Sequence, residues 1–254
     1  MRISIISAKG GVGKSTISLL LGKALAELGD DVLIIDRDPL AYVSNVFGVR
    51  GQGIIQSVVE GKPPRDYVKT AGNLSVLKCF GQGPRYIVDL EKLSKSQELL
   101  NKACNTYLTA VLQKDYKFYI VDNPSLVLVE DPIVEIELNA FLKVKPKENV
   151  VRIYVTDPID YTIRLTLEYL DKMEESKPIG KPYALIVNLV PPFKDVLERT
   201  EIKLKEIISE KGLEEGAIIP FSEELFNLSS ADVKVPEEVK ILALKIKEKA
   251  KRSS

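Results

Sequence analysis

Short apolar runs recur along the chain, and the stretches between most of them carry apolar residues at the spacing of one helical face. The runs predict strands over residues 2–7, 32–35, 74–79, 118–122, 150–155, 183–187 and 217–219. Unbroken runs such as Val32-Leu33-Ile34-Ile35 suit strands covered on both faces. The intervening patterns predict helices over 14–28, 53–59, 95–112, 132–142, 161–173, 193–210 and 237–251. In the first of these Ile17, Leu20, Leu21, Ala24, Leu25 and Leu28 share one face, and Gly29 ends it. Gly61-Lys62-Pro63-Pro64 and Gly81-Gln82-Gly83-Pro84 break the chain, and the charged stretch 143–148 reads as a solvated loop. Strands alternating with helices predict an α/β fold: a doubly wound, mostly parallel sheet with helices on both faces. No linker, repeat or low-complexity segment divides the 254 residues, so a single domain over 1–254 is expected.

The stretch Ala8-Lys9-Gly10-Gly11-Val12-Gly13-Lys14-Ser15-Thr16 falls between the first predicted strand and the first predicted helix. A phosphate-binding loop belongs there. Glycines let the backbone wrap an anion with its N–H groups turned inward, and the helix starting at Lys14 adds the positive end of its dipole. Lys14 supplies an ammonium for the β- and γ-phosphates, and the Ser15 hydroxyl is a candidate Mg²⁺ ligand. Three further spots lie at or just beyond predicted strand ends, where an open α/β sheet binds its ligands: Asp36-Arg37-Asp38-Pro39, Asp122-Asn123-Pro124-Ser125, and Asn188 with Ile219-Pro220-Phe221-Ser222.

Composition narrows the chemistry. The chain has no histidine, which excludes histidine triads and histidine metal sites and leaves a carboxylate or a lysine as any general base. A carboxylate near the γ-phosphate is therefore needed to position or polarise an attacking water. Asp122, after its apolar run, has the Walker B form of a metal-holding acid. Cys79 and Cys104 fit no metal or redox spacing and read as thiols of a reducing cytosol. The 36 basic and 36 acidic residues balance, so no generally basic, nucleic-acid-coating surface is expected; DNA binding would need a local patch, such as one assembled by two subunits. No apolar run reaches membrane-spanning length, and a soluble cytoplasmic protein is expected.

The loop departs from the general P-loop: Ala8 stands where a glycine is usual, and Lys9 adds a second lysine. In this Lys-Gly-Gly-x-Gly-Lys-[Ser/Thr] form it resembles the deviant P-loop of the ParA/MinD ATPases, and Asp36-x-Asp38-Pro39 resembles their switch I. The resemblance, extending over nearly the whole chain, implies a Mg²⁺-dependent ATP hydrolase that dimerises on ATP. It implies ATP held by Gly10, Gly11, Val12, Gly13, Lys14, Ser15 and Thr16, and Mg²⁺ near Ser15, Asp38 and Asp122. It implies Lys9, Lys14 and Asp38 as catalytic residues, with Lys9 reaching across a two-fold axis to the partner's phosphates. Asn188 would contact adenine, walled by Pro220 and Phe221; taken alone, Asn188 reads equally as a turn residue. No Asn-Lys-x-Asp sequence follows to read guanine.

The family's role implies a cargo (a chromosome, a plasmid or a cell-surface assembly), with DNA and a ParB-like activator among the partners. Ser125 departs from the family, which often has a glycine at that switch II turn. Slow turnover is therefore expected, and a low-turnover regulatory module is the alternative reading. The cysteines match no iron-sulfur carrier pattern, and no long apolar insertion supplies a groove for tail-anchored clients. Val239, Leu242, Ala243, Ile246 and Ala250 form one face of the last helix, rimmed by lysines; this face is read as core rather than as a membrane anchor.

Overall fold

A computed structural model describes residues 1–81 and 83–252 of the chain. Gln82, in the predicted Gly81–Pro84 break, and Ser253 and Ser254 lie outside the described residues. The described strands are β1 (Arg2–Ile6), β2 (Val32–Asp36), β3 (Val68–Ala71), β4 (Leu74–Lys78), β5 (Phe118–Asp122), β6 (Val150–Thr156), β7 (Lys181–Val190) and β8 (Glu215–Pro220). They form one sheet in the order β3-β4-β2-β5-β1-β6-β7-β8. Every pairing is parallel except that of β3 with β4. The expected doubly wound, mostly parallel architecture is the one observed.

The helices are α1 (Lys14–Glu27), α2 (Tyr42–Phe47), α3 (Ile54–Val59), α4 (Arg85–Ser94), α5 (Gln97–Val111), α6 (Pro132–Val144), α7 (Asp160–Glu175), α8 (Lys194–Lys211), α9 (Glu223–Phe226) and α10 (Glu237–Arg252). The two-residue period of the strands sorts their side chains between the faces. Ile3, Ile5, Val32, Ile34 and Ile120 pack with α1 and α10. Leu33, Ile35, Tyr119 and Val121 pack on the opposite side with α3, α5 and α6. Ile6 at the end of β1, Tyr154 and Leu185 pack with α7 and α8.

The apolar face predicted for the last helix is buried: Val239, Leu242, Ala243, Ile246 and Ala250 pack in the same cluster as α1. Lys247 ties the two helices further, donating to the Leu28 carbonyl at 2.7 Å. Among the described residues no helix is long and apolar enough to cross a membrane.

Four elements depart from the sequence pattern: α2, β3, α4 and α9 arise where no element was expected. β7 also runs on beyond the predicted 183–187, so Asn188 lies inside a strand rather than at its end. The pairing of β7 with β8 slips between Val187 and Val190, and Leu189 adopts φ 60°. This irregularity breaks the regular alternation at Asn188.

Candidate functional site

The parallel strands deliver the singled-out residues to one edge of the sheet. β1 runs directly into the loop 7–13, and α1 starts at Lys14. Gly11 and Gly13 turn the loop with φ of 81° and 90°, values in the left-handed region open to glycine. Gly13 is also the N-cap of α1, where no side chain caps the helix and no acid stands in the first turn. The first amides of α1 thus keep their positive ends for an anion.

A cleft of about 340 Å³ opens over this loop, lined by Gly10, Gly11, Gly13, Lys14, Ser15 and Thr16. Asp38, Ser125, Asn188 and Pro220 complete its wall. The volume and the mixture of polar groups with apolar walls suit a small-molecule ligand. Val12 and Phe221, expected at the nucleotide, are not among its lining residues. Val12 is buried and contributes its carbonyl to the loop's support, while the Phe221 ring tilts against Phe226, which does line the cleft.

Lys14 is 6 % exposed, and its Nζ donates to Ser125 Oγ at 3.1 Å. Burial lowers its pKa, and the charges of Asp122 and Asp38 oppose that shift. Asp36 and Asp122 are register partners on adjacent strands and are wholly buried. Burial raises the pKa of each above the ordinary carboxylate range; the Asp38 charge raises that of Asp36 further, and the Asp36 charge that of Asp122. Asp36 Oδ2 accepts from the Ser44 amide at 2.8 Å, which anchors α2. Asp122 Oδ1 accepts from Ser18 Oγ at 2.8 Å, whereas its Oδ2 has no hydrogen-bond partner. An orphaned, buried carboxylate oxygen under a phosphate-type loop, with Ser15 above it, fits a hard cation. Among the described residues no group of three or more acidic, cysteine or histidine side chains could hold a metal on its own. Mg²⁺ characteristically takes one or two protein ligands and completes its shell from phosphates and water, which agrees with this sparse set. Asp38 sits at the cleft wall, its Oδ1 accepting from the Leu40 amide at 2.8 Å.

Asn188 is 5 % exposed, and its Nδ2 donates to the Val12 carbonyl at 2.9 Å. A Cβ at Gly13 would collide with that amide, so the loop and Asn188 are fitted to each other. Lys9 takes the opposite course from Lys14. Its side chain is 46 % exposed at the outer edge of the loop, and its Nζ pairs with Asp157 Oδ2 at 3.0 Å. Asp157, just beyond β6, escaped the sequence reading. It is an acid at a strand end followed by proline, the pattern that singled out Asp38, and the same rule would have found it. Tyr42 also lines the cleft unforeseen; its hydroxyl donates to the Leu228 carbonyl at 2.8 Å.

Comparison with known proteins places this geometry. Residues 3–235 match the family described as the CobQ/CobB/MinD/ParA nucleotide binding domain. The chain is 33 % identical over 128 residues to the sporulation initiation inhibitor protein Soj of Bacillus subtilis, covering 48 % of this chain and 49 % of that protein. It is 39 % identical over 62 residues to the chromosome-partitioning ATPase Soj of Thermus thermophilus, or 24 % of this chain and 25 % of the relative. These matches thus span half or less of the curated relatives' length. Among solved structures, the septum site-determining protein MinD of Pyrococcus horikoshii, complexed with Mg-ADP, superposes with a TM-score of 0.66 at 19 % identity, over 100 % of this chain and 98 % of that one. MinD of Aquifex aeolicus gives 0.64 at 22 % identity, over 97 % and 96 % of the two chains. The shared fold is that of the P-loop nucleotide hydrolases. With its family match running from the first strand past the last, this chain belongs to the CobQ/CobB/MinD/ParA nucleotide-binding domain family.

Proposed function

We propose that the chain, acting as one domain over residues 1–254, is a slow, Mg²⁺-dependent ATPase of the ParA/MinD type in the cytoplasm, whose ATP-driven dimerisation segregates or positions DNA or another cargo. The observation that carries this reading is the opposite placement of the two loop lysines. Lys14 is buried inside the cleft, where one subunit needs its charge; Lys9 stands half-exposed outside it, paired with Asp157 of its own subunit and within reach of a second molecule. The names of the relatives, partition proteins among them, support the cargo role.

In this reading the amides of residues 10–16 and the Lys14 ammonium hold the phosphates, and the Asn188 Oδ1 and Pro220 face the base. Ser15 and Asp122 would hold Mg²⁺, with Asp38 close by, and the ion supplies positive charge to the phosphate oxygens. Asp38 accepts a hydrogen bond from a water and aims its oxygen at the γ-phosphorus; the bond to the ADP oxygen breaks as the new one forms. Ser125 Oγ, already engaged by Lys14, supports slow turnover.

Light scattering with ATP and Mg²⁺ tests the reading. Lys9→Ala should bind ATP yet neither dimerise nor hydrolyse it. Lys14→Ala should weaken nucleotide binding itself, and Asp38→Ala should bind ATP, dimerise and stay trapped. A Lys9→Ala protein that dimerises and hydrolyses like the parent would overturn the dimer mechanism.

A further inference from the structure

Beneath the cleft lies a buried ionic cluster whose residues come from five elements or their ends. Arg2 is on β1, Arg37 follows β2, Asn123 follows β5, Tyr107 is on α5 and Glu137 is on α6. All five side chains are buried. Arg2 Nη1 donates to Glu137 Oε1 at 3.0 Å, and its Nη2 pairs with Oε2. Arg37 Nη1 donates to Glu137 Oε2 at 3.0 Å, while its Nε donates to Asn123 Oδ1 at 3.0 Å and its Nη2 bonds the same oxygen. The Tyr107 hydroxyl donates to Glu137 Oε1. Asn123 Nδ2 donates in turn to Ser4 Oγ at 3.0 Å and to the Ile5 carbonyl at 2.9 Å.

The charges in this cluster do not balance. Two guanidiniums face one carboxylate, and the neighbouring Cys79 thiol is held protonated by burial. Arg2 gains some relief over the Phe141 ring, 4.6 Å from its centroid. Arg2, Glu137 and Tyr107 alone would make a neutral, hydrogen-bonded set. Stability therefore gives no reason for a second buried cation, because uncompensated buried charge is costly.

Position does give a reason. Arg37 stands between Asp36 and Asp38, and Asn123 between Asp122 and the turn that carries Ser125. The Arg37 amide also donates to the Asp122 carbonyl at 2.9 Å. A guanidinium is a rigid planar fork, so bonding two acceptors at once fixes their separation. We propose that Arg37 is a positioning residue for nucleotide turnover: bonded to Asn123 and Glu137, it ties the strand end bearing Asp38 to the turn bearing Ser125 and to α6, so that the three move together. The proposal rests on the hydrolase reading above, and it makes α6 the element through which nucleotide state reaches the surface.

The test compares the parent with Arg37→Met and Arg37→Lys. Arg37→Met leaves the cluster neutral and should fold. Its kcat should fall at least about tenfold while affinity for a non-hydrolysable ATP analogue changes less than about threefold. Arg37→Lys, whose ammonium lacks the planar fork, should recover only part of the rate. A folded Arg37→Met protein with the parent's kcat overturns the proposal. Hydrogen exchange on the parent, with ADP and with the analogue, decides the matter even if Arg37→Met fails to fold or the parent proves inactive. Residues 38–42, 124–128 and 132–140 should change protection together; protection of the first two segments with 132–140 unmoved overturns the coupling. An inactive parent whose segments move together sinks the hydrolase reading and leaves the coupling standing.

Discussion

Replacing Asn188 by alanine separates two roles that the residue could hold. A residue that only touches adenine would matter only when nucleotide is bound. Here its Nδ2 donates to the Val12 carbonyl at 2.9 Å, inside a site where Asn188 is 5 % exposed. Asn188→Ala removes the donor and leaves a buried carbonyl unpaired, which costs about 1–3 kcal/mol. For a chain of this size that is a fall in Tm of roughly 2–12 °C, read with no nucleotide present. Asn188→Asp keeps the shape but sets a carboxylate oxygen against the same carbonyl, so its loss should exceed alanine's. The assay is a thermal melt of the nucleotide-free protein, followed by a titration with a fluorescent ATP analogue. Both variants should also bind ATP more weakly, because the loop that holds the phosphates is no longer braced. A nucleotide-free Tm within about 1 °C of the parent, with ATP affinity reduced, would refute the bracing argument and leave base contact as the sole role.

Three further outcomes follow from other parts of the structure. Ser125→Gly frees Lys14 Nζ from its 3.1 Å contact and relaxes the turn, so steady-state phosphate release should rise severalfold with ATP affinity within about threefold of the parent; an unchanged rate would show that this turn does not limit turnover. ATP should outcompete GTP in a fluorescence titration, since no acid follows Asn188 to read guanine, and equal affinities would sink the base assignment. Gly53 has φ 84° and ψ 163°, a region essentially closed to other residues, and a Cβ there would lie 2.6 Å from the Phe80 carbonyl carbon, so Gly53→Ala should cost at least about 2 kcal/mol in a denaturant melt; a loss under about 0.5 kcal/mol would contradict this.

What the sequence made legible was whatever is local and periodic. The buried strands showed as apolar runs because they are covered on both faces, and the loop showed because glycine spacing and the strand–helix context are contiguous. Of the unforeseen elements, α4 does carry such a signal, with Tyr86, Leu90 and Leu93 at helical spacing, whereas β3 and α2 do not. β3 is half-buried at Val68 and exposed from Lys69 to Ala71, so it has no apolar face to display; only its hairpin with β4 makes it a strand. α2 is six residues long, begins from Ala41 at φ 49° and depends on a hydrogen bond from Ser44 to Asp36, a contact no helical pattern encodes. Asn188 was found as a residue, but its setting turns on an irregularity between two strands, which has no sequence signature. The Arg37–Asn123–Glu137 contacts join residues about a hundred positions apart. The only trace of them was a glutamate among the apolar residues of α6, at a position the helix buries.

The strand order also governs how the site comes into being. β1 and β2, which carry the phosphate loop and Asp38, do not touch in the sheet; β5 lies between them and pairs with both. A ribosome therefore releases the loop, α1 and the first acids long before the strand that joins them. Until residues 118–122 arrive, β1 and β2 are separate edges with no partner in common, and the nucleotide cleft has no floor. Folding of this domain must wait on a non-local strand insertion, the slow kind of step in which loop closure precedes its reward. A nascent chain halted before Phe118 holds the whole glycine-rich loop and Asp38, yet has no surface on which to assemble them.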